Sequence, residues 1–183
     1  MKLKSERLIL RPFRISDAKA LFYYACDPAV GPPAGWAPHV SVDESREIIR
    51  TRLTAPHTFA VCLVGTDEPI GCIGLHREDL AEDDDELELG YWLGRPFWGR
   101  GLITEAGREV LRYAFLSLGM RRVWCGHYEG NTRSRRVMEK LGFLYHHTTE
   151  GIELPRLGET RRGHAFLLTR NDWEKQNAKE QND

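Results

Sequence analysis

Two glycines flank an arginine at Gly99-Arg100-Gly101, inside the stretch PFWGRGLITEAG from Pro96 to Gly107, and a strongly helical run begins at once. Glycine is unfavourable in regular structure by roughly 0.5–1 kcal/mol against alanine, so two of them at a helix start point to something that approaches bare backbone. The first N–H groups of a helix have no internal partner, and the helix dipole adds partial positive charge at the same end. Strand, glycine turn and helix thus make an anion site, suited to a phosphate. The same glycines can also do no more than turn the chain. A P-loop needs Gly-Lys-Ser/Thr, which this stretch lacks. A dinucleotide fingerprint needs a third glycine where Thr104 stands, and an acidic residue about twenty positions on, where Arg121 and Arg122 lie. The seven histidines show no HxH or HxxxH spacing, and the adjacent His146 and His147 of one strand point to opposite faces, so no metal is expected.

The elements that must position this turn follow from periodicity. Leu87 to Leu93 reads as the strand that enters it. Ile103, Ala106, Gly107, Val110, Leu111, Ala114, Phe115 and Leu118 mark one face of the helix that leaves it, stopped by Gly119. Val123 to Tyr128 is the next strand, and Asn131 caps a short helix carrying Val137, Met138 and Leu141, closed by Gly142. Upstream, Arg7–Arg14 alternates as a strand, Ser16 is positioned to cap a first helix, and Ser41 with Glu44 fits a capping box. Phe59–Val64 and Ile70–Leu75 form a hairpin. Two more strands, around Phe143–Glu153 and Thr160–Thr169, pair antiparallel. The expectation is one α/β domain over residues 1–173 on a mixed sheet, with a polar, frayed tail over 174–183.

The chain has 183 residues, 41% hydrophobic and 29% charged, with a net charge of −1. That is a soluble globular composition with no global field to draw nucleic acid or membrane. The apolar runs are too short to cross a bilayer, and charge interrupts the N-terminal apolar stretch, so no signal peptide is read there. Cys26, Cys62, Cys72 and Cys125 form no CxxC pair and are expected as reduced thiols of a cytoplasmic protein; a Cys62–Cys72 bridge is the lesser alternative.

Gly90-Tyr91-Trp92-Leu93, Trp98-Gly99-Arg100-Gly101 and Thr104-Glu105-Ala106 together resemble the acetyl-CoA signature of the GNAT N-acetyltransferases. Asn131-Thr132-Arg133-Ser134 and Glu139-Lys140-Leu141-Gly142-Phe143 resemble that superfamily's second motif, and Arg7-Leu8-Ile9-Leu10-Arg11-Pro12 the opening strand of its ribosomal-protein (Rim-type) branch. The resemblance implies a mixed, mostly antiparallel sheet of about seven strands flanked by helices and splayed at strands 4 and 5. It implies acetyl-CoA as acetyl donor, its pyrophosphate over Gly99, Arg100, Gly101, Leu102, Ile103 and Thr104 beside Trp98, and its pantetheine arm along Leu89–Leu93, past Tyr91 and Trp92. Asn131 would bond the arm; Arg133 and Arg136, with Arg135, offer charge to the 3′-phosphate. The family's phosphate loop, Q/R-x-x-G-x-G/A, has Trp98 at its first position here and the bulkier Ile103 at its last. A tyrosine that acts as general acid in relatives falls at Met138, which has no proton to give.

The implied reaction is direct attack of a primary amine on a thioester, which needs a base, a stabilised oxyanion and a protonated or hydrogen-bonded leaving thiolate. Glu88, sharing a strand face with Glu86, Gly90 and Trp92, is the candidate base or else a solvated strand residue. Ser134 can donate to the thiolate or be a plain surface serine. Tyr128 or His127 can replace the missing acid. Glu105 is explained by the helix dipole. The acceptor is a protein N-terminal amine or a small amine, sought near Trp36 and His39 and the acidic loop Glu82–Glu86, in a monomer or homodimer. The alternative is a catalytically idle coenzyme A-binding or regulatory module.

Overall fold

A computed structural model of the chain describes residues 1–78 and 80–180. The strands are β1 (Leu3–Lys4), β2 (Leu8–Arg11), β3 (Thr58–Leu63), β4 (Pro69–His76), β5 (Glu86–Leu93), β6 (Arg122–Tyr128), β7 (Leu144–Leu154) and β8 (Glu159–Thr169). They form one open sheet in the order β1-β2-β3-β4-β5-β6-β8-β7. Every neighbouring pair is antiparallel except β5 with β6. The sheet is mixed and mostly antiparallel, as expected; the two-residue β1 brings the count to eight.

The parallel pair is short. β5 and β6 meet only over Glu86–Glu88 against Arg122–Trp124. From Leu89 to Leu93 the β6-facing edge of β5 has no strand partner, while its other edge stays paired to β4 through Leu93↔Gly71. This is the expected splay; because β1 adds a strand, it lies between the fifth and sixth strands.

The helices are α1 (Ala18–Ala25), α2 (Val42–Ile48), α3 (Leu102–Arg112), α4 (Thr132–Lys140) and α5 (Arg170–Glu180). α3 owes its place to its apolar stripe: Leu102, Ile103, Ala106, Val110 and Leu111 are buried, as are Ala114 and Phe115 in the wider turns that follow. Fully burying one such leucine contributes roughly 1.5–3 kcal/mol. Gly107 lets α4's partner loop close on α3, since a Cβ there would sit 2.6 Å from Leu141 Cδ1. The first residue of α3 is therefore held by the core, and the turn before it is held with it.

Two elements differ from expectation. Ser16 does not cap α1. A single tight turn, Ile15–Asp17, precedes the helix, and Asp17 accepts the Arg14 N–H at 2.8 Å. Asp17 stands at the N-cap position of α1 without a side-chain cap bond to it, because the buried Arg11 guanidinium grips both its oxygens, each at 2.8 Å. The hydrogen bonds to Asp17 hold Arg11 above its ordinary range, more than burial lowers it. The polar end does not fray at Glu174: α5 runs on to Glu180, with Trp173 stacked near Phe115 at 5.2 Å. Residues 181–183 of the expected tail lie outside the described residues. The four cysteines are all free thiols, so Cys62 and Cys72 make no bridge; burial pushes them up to about 11 and about 12.

Candidate active site

Gly99 and Gly101 both have φ of +73°, the left-handed region that favours glycine. A Cβ on Gly99 would meet nothing within 4 Å, and one on Gly101 only Arg7 Nη2 at 3.8 Å. The turn is thus conformationally demanding and open to the outside. Among the described residues no acceptor takes the backbone N–H of Gly99, Arg100, Gly101, Leu102, Ile103 or Thr104; the first N–H of α3 with a partner is that of Glu105, which donates to Gly101 O at 3.0 Å. A run of unpaired donors ending in a helix N-terminus has the chemistry an anion needs. Trp98 is fixed at the loop's edge by donating Nε1–H to Leu93 O at 2.7 Å. Arg133 of α4 lies over its ring, 4.6 Å from the centroid.

The loop is pinned from behind. Glu105 accepts from Ser5 Oγ at 2.7 Å, from the Arg7 N–H at 2.8 Å and from Arg7 Nε at 2.6 Å, while Arg7 Nη1 donates to Arg100 O at 3.1 Å. The helix dipole is therefore only part of the reason for Glu105. Burial alone would push its carboxyl up; the Arg7 N–H, the Ser5 hydroxyl and the Arg7 guanidinium together leave it below its ordinary value. A depressed carboxyl stabilises the fold above the unfolded carboxylate pKa, and the contribution is lost as pH falls through the folded value. Glu105→Gln is expected to cost about 1–2 kcal/mol at neutral pH, near the low end because Arg7 is half exposed. Thermal melts check this: the melting temperature drops by a few degrees near neutrality, and the gap to the parent closes in acid.

A cavity of about 630 Å³ runs from this loop through the splay. Register assigns its two walls. Glu88 pairs with Trp124 and so shares its face, as do Gly90, Trp92 and Tyr128 by alternation. That face meets the loop over 27–38: Trp92 packs on Trp36 at 5.8 Å, and Tyr128 lies against Gly35. Leu89, Tyr91 and Cys125 face the other way, toward α3 and α4. Glu88 therefore lines the cavity on one side and Ser134 on the opposite side. Leu80 N–H lies 3.4 Å from Glu88 Oε2.

Ser134 sits in the first turn of α4. Asn131 caps that helix, its Oδ1 accepting the Ser134 N–H at 3.2 Å. One Nδ2 hydrogen of Asn131 donates to Pro33 O at 3.0 Å, which leaves the amide its second. Ser134 Oγ lies 3.0 Å from Tyr91 Oη, a contact no sequence pattern announces. His127 donates Nδ1–H to Tyr128 O at 3.0 Å in the tautomer that contact favours, and burial lowers its pKa. Met138, at the position of the family's tyrosine, is fully buried in the core.

The cations divide by position. Arg135 pairs with Glu139 at 2.8 Å on the outer side of α4. Arg133, Arg136 and Lys140 line the cavity, and Lys140 with Arg108 also lines a recess of about 690 Å³ behind Gly101 and Thr104. None of these four, nor Arg100, has an ion-pair partner among the described residues. Arg108 and Lys140 were not singled out from sequence; only the fold brings them to the loop. Most of the acidic loop's charge is paired: Asp83 and Glu86 with Arg122, Asp85 with Arg121 and Asp84 with Arg77, which leaves the exposed Glu82. Trp36 and His39 pack on each other rather than line the cavity, which is walled there by Ala29, Val30, Pro33 and Ala34.

Residues 7–144 match the family model described as "Acetyltransferase (GNAT) domain". The chain is 32% identical over 146 residues to "Uncharacterized N-acetyltransferase p20" of Bacillus licheniformis, which spans 77% of this chain and 81% of that protein. It is 42% identical over 74 residues to "Putative ribosomal N-acetyltransferase YdaF" of Bacillus subtilis, 40% of this chain and 39% of that one. In fold it is similar to the crystal structure of a GNAT-family acetyltransferase from Bacillus anthracis, with a TM-score of 0.81 at 24% identity over 92% and 98% of the two chains. Among the described residues no helix is long and apolar enough to cross a membrane. With the family's motifs gathered at a glycine turn and a splayed strand pair, and with the family model matched over most of its length, the chain belongs to the GNAT family of N-acetyltransferases.

Proposed function

We propose that the protein moves an acetyl group from acetyl-CoA to a primary amine by direct attack in a ternary complex. The observation that carries this reading is the run of unpartnered N–H groups from Gly99 to Thr104 at the start of α3, which fits a pyrophosphate. The unpaired Arg108, Arg133, Arg136 and Lys140 around it suit the further charge of a 3′-phosphate. The edge of β5 at Leu89–Leu93 that no strand pairs suits an amide-bearing arm such as pantetheine, and its backbone N–H groups can polarise the acetyl carbonyl.

The two cavity walls then divide the chemistry. Glu88, on the wall toward the 27–38 loop, takes the proton of the attacking amine. Ser134, on the α4 wall, meets the departing sulfur. Cys125 also lies at the splay, but burial pushes its thiol well up and it donates to Leu89 O at 3.1 Å, so it is a thiol rather than a thiolate nucleophile. That favours direct transfer over an acetyl-cysteine intermediate. The acceptor reading is a protein N-terminal amine or a small amine; the ribosomal name of the Bacillus subtilis relative supports the former. The buried Met138 favours the second reading, a coenzyme A-binding module without turnover.

Calorimetric titration with acetyl-CoA, coenzyme A, NAD and ATP tests the cradle. Binding of the first two alone is expected; binding of NAD or ATP with equal strength contradicts the coenzyme reading. Initial rates at varied donor and acceptor are expected to give intersecting reciprocal plots, and parallel ones would point to an acetyl-enzyme.

A further inference from the structure

Tyr91 and Ser134 lie 43 residues apart in the chain and meet across the cleft. Tyr91 Oη donates to Ser134 O at 3.1 Å and lies 3.0 Å from Ser134 Oγ, so both serine oxygens sit within reach of its one hydrogen. Ser134 is doubly held, since its N–H is also taken by Asn131 Oδ1. Its hydroxyl is the one on α4's cavity-lining positions; its companions there are Arg133, Arg136, Val137 and Lys140. One turn on, Met138 is buried and apolar. A serine hydroxyl has one hydrogen to give and rotates freely unless something fixes it.

We propose that Tyr91 is the positioning residue of the transfer, holding Ser134 Oγ so that its hydrogen is aimed into the cavity at the leaving sulfur. The inference rests on the acetyl-transfer reading above. Burial pushes Tyr91 well above its ordinary range, so it stays a protonated donor at every working pH. With the single Tyr91 hydrogen shared between Ser134 O and Ser134 Oγ as a three-centre bond, Ser134 Oγ is an acceptor toward Tyr91 and its own hydrogen is left for the cavity. In the reaction the amine nitrogen bonds to the acetyl carbon, and the C–S bond breaks with its electron pair going to sulfur. The thiolate accepts the Ser134 O–H hydrogen bond, the amine's proton goes to Glu88, and the coenzyme thiol takes its final proton from solvent. Neither Ser134 nor Tyr91 changes protonation overall.

A double-mutant cycle tests this with Tyr91→Phe, Ser134→Ala and the double variant, measuring kcat by thiol release and acetyl-CoA Kd by calorimetry on protein whose fold is checked by circular dichroism. Each single change is expected to lower kcat about tenfold, the value of one hydrogen bond, with Kd moving less than about twofold. The double variant is expected to be no slower than Ser134→Ala, because Tyr91 acts through the serine. If Ser134→Ala is slow while Tyr91→Phe is not, or if the two effects multiply, the proposal fails and the acetyl-transfer reading stands. If Ser134→Ala is as fast as the parent, the serine's role falls and the proposal with it. Absence of any turnover in the parent instead defeats the underlying reading. Should Tyr91→Phe not fold, 3-fluorotyrosine at position 91 keeps the shape and strengthens the donor; kcat is then expected to rise, and an unchanged kcat overturns the proposal.

Discussion

Glu88→Gln is expected to lower the rate at saturating substrates by about 10²–10⁴-fold, the range of a general base, with acetyl-CoA affinity almost unchanged. Gln is nearly the same shape and its carbonyl oxygen can still face the Leu80 N–H. What it lacks is a carboxylate able to take a proton. Glu88 is placed for that by the last paired position of β5 with β6: one residue further and the strands part. Its side chain lies on the wall toward the 27–38 loop, away from the Ser134 side, as a base for an incoming amine must if sulfur departs on the other. Steady-state kinetics with a competent amine decide the matter. A rate within about threefold of the parent returns Glu88 to a strand residue that merely lines a cavity.

Gly101→Val is expected to weaken acetyl-CoA binding about a hundredfold or more, while Arg100→Ala changes it by less than about fivefold. Gly101 has φ of +73°, so valine strains the turn as well as placing methyl groups where phosphate would rest. Losing two charge-assisted hydrogen bonds at roughly 1.5–3 kcal/mol each suffices for the larger figure, whereas an exposed cation near a phosphate contributes roughly 0–1 kcal/mol. Gly101→Asn separates strain from blockage, because asparagine tolerates the left-handed conformation. Calorimetry is expected to find it intermediate. Equal damage from Arg100→Ala and Gly101→Val would mean that side-chain charge, not bare backbone, holds the coenzyme.

The parts legible in the sequence were those set by local periodicity and local capping. The α3 stripe from Ile103 to Phe115, the hairpin of β3 and β4 and the Asn131 cap all depend on residues within a turn or two of each other. The glycine turn was legible for the same reason. Contacts between distant residues were not. Glu105 is tied to Arg7 across 98 positions, and Asn131 to Pro33 across 98. Ser16 makes no cap because the chain enters α1 through the Ile15–Asp17 turn, whose Asp17 is gripped by Arg11 of β2. The acidic run 82–86 looked like free charge because its arginine partners, Arg121 and Arg122, arrive only through the parallel strand β6. The sequence places Tyr91 beside the pantetheine arm, but its hydroxyl's contact with Ser134 spans 43 positions and no local spacing shows it.

The most direct measurement is mass spectrometry of a defined panel of peptides and small amines after incubation with the protein and acetyl-CoA, with Glu88→Gln run in parallel. The parent is expected to add one acetyl group to the α-amine of an acceptor and to release one equivalent of free coenzyme A thiol, and the variant to do neither on the same time scale. Tight binding of acetyl-CoA with no acetylated product from any acceptor would contradict catalysis and leave a coenzyme-binding module in its place.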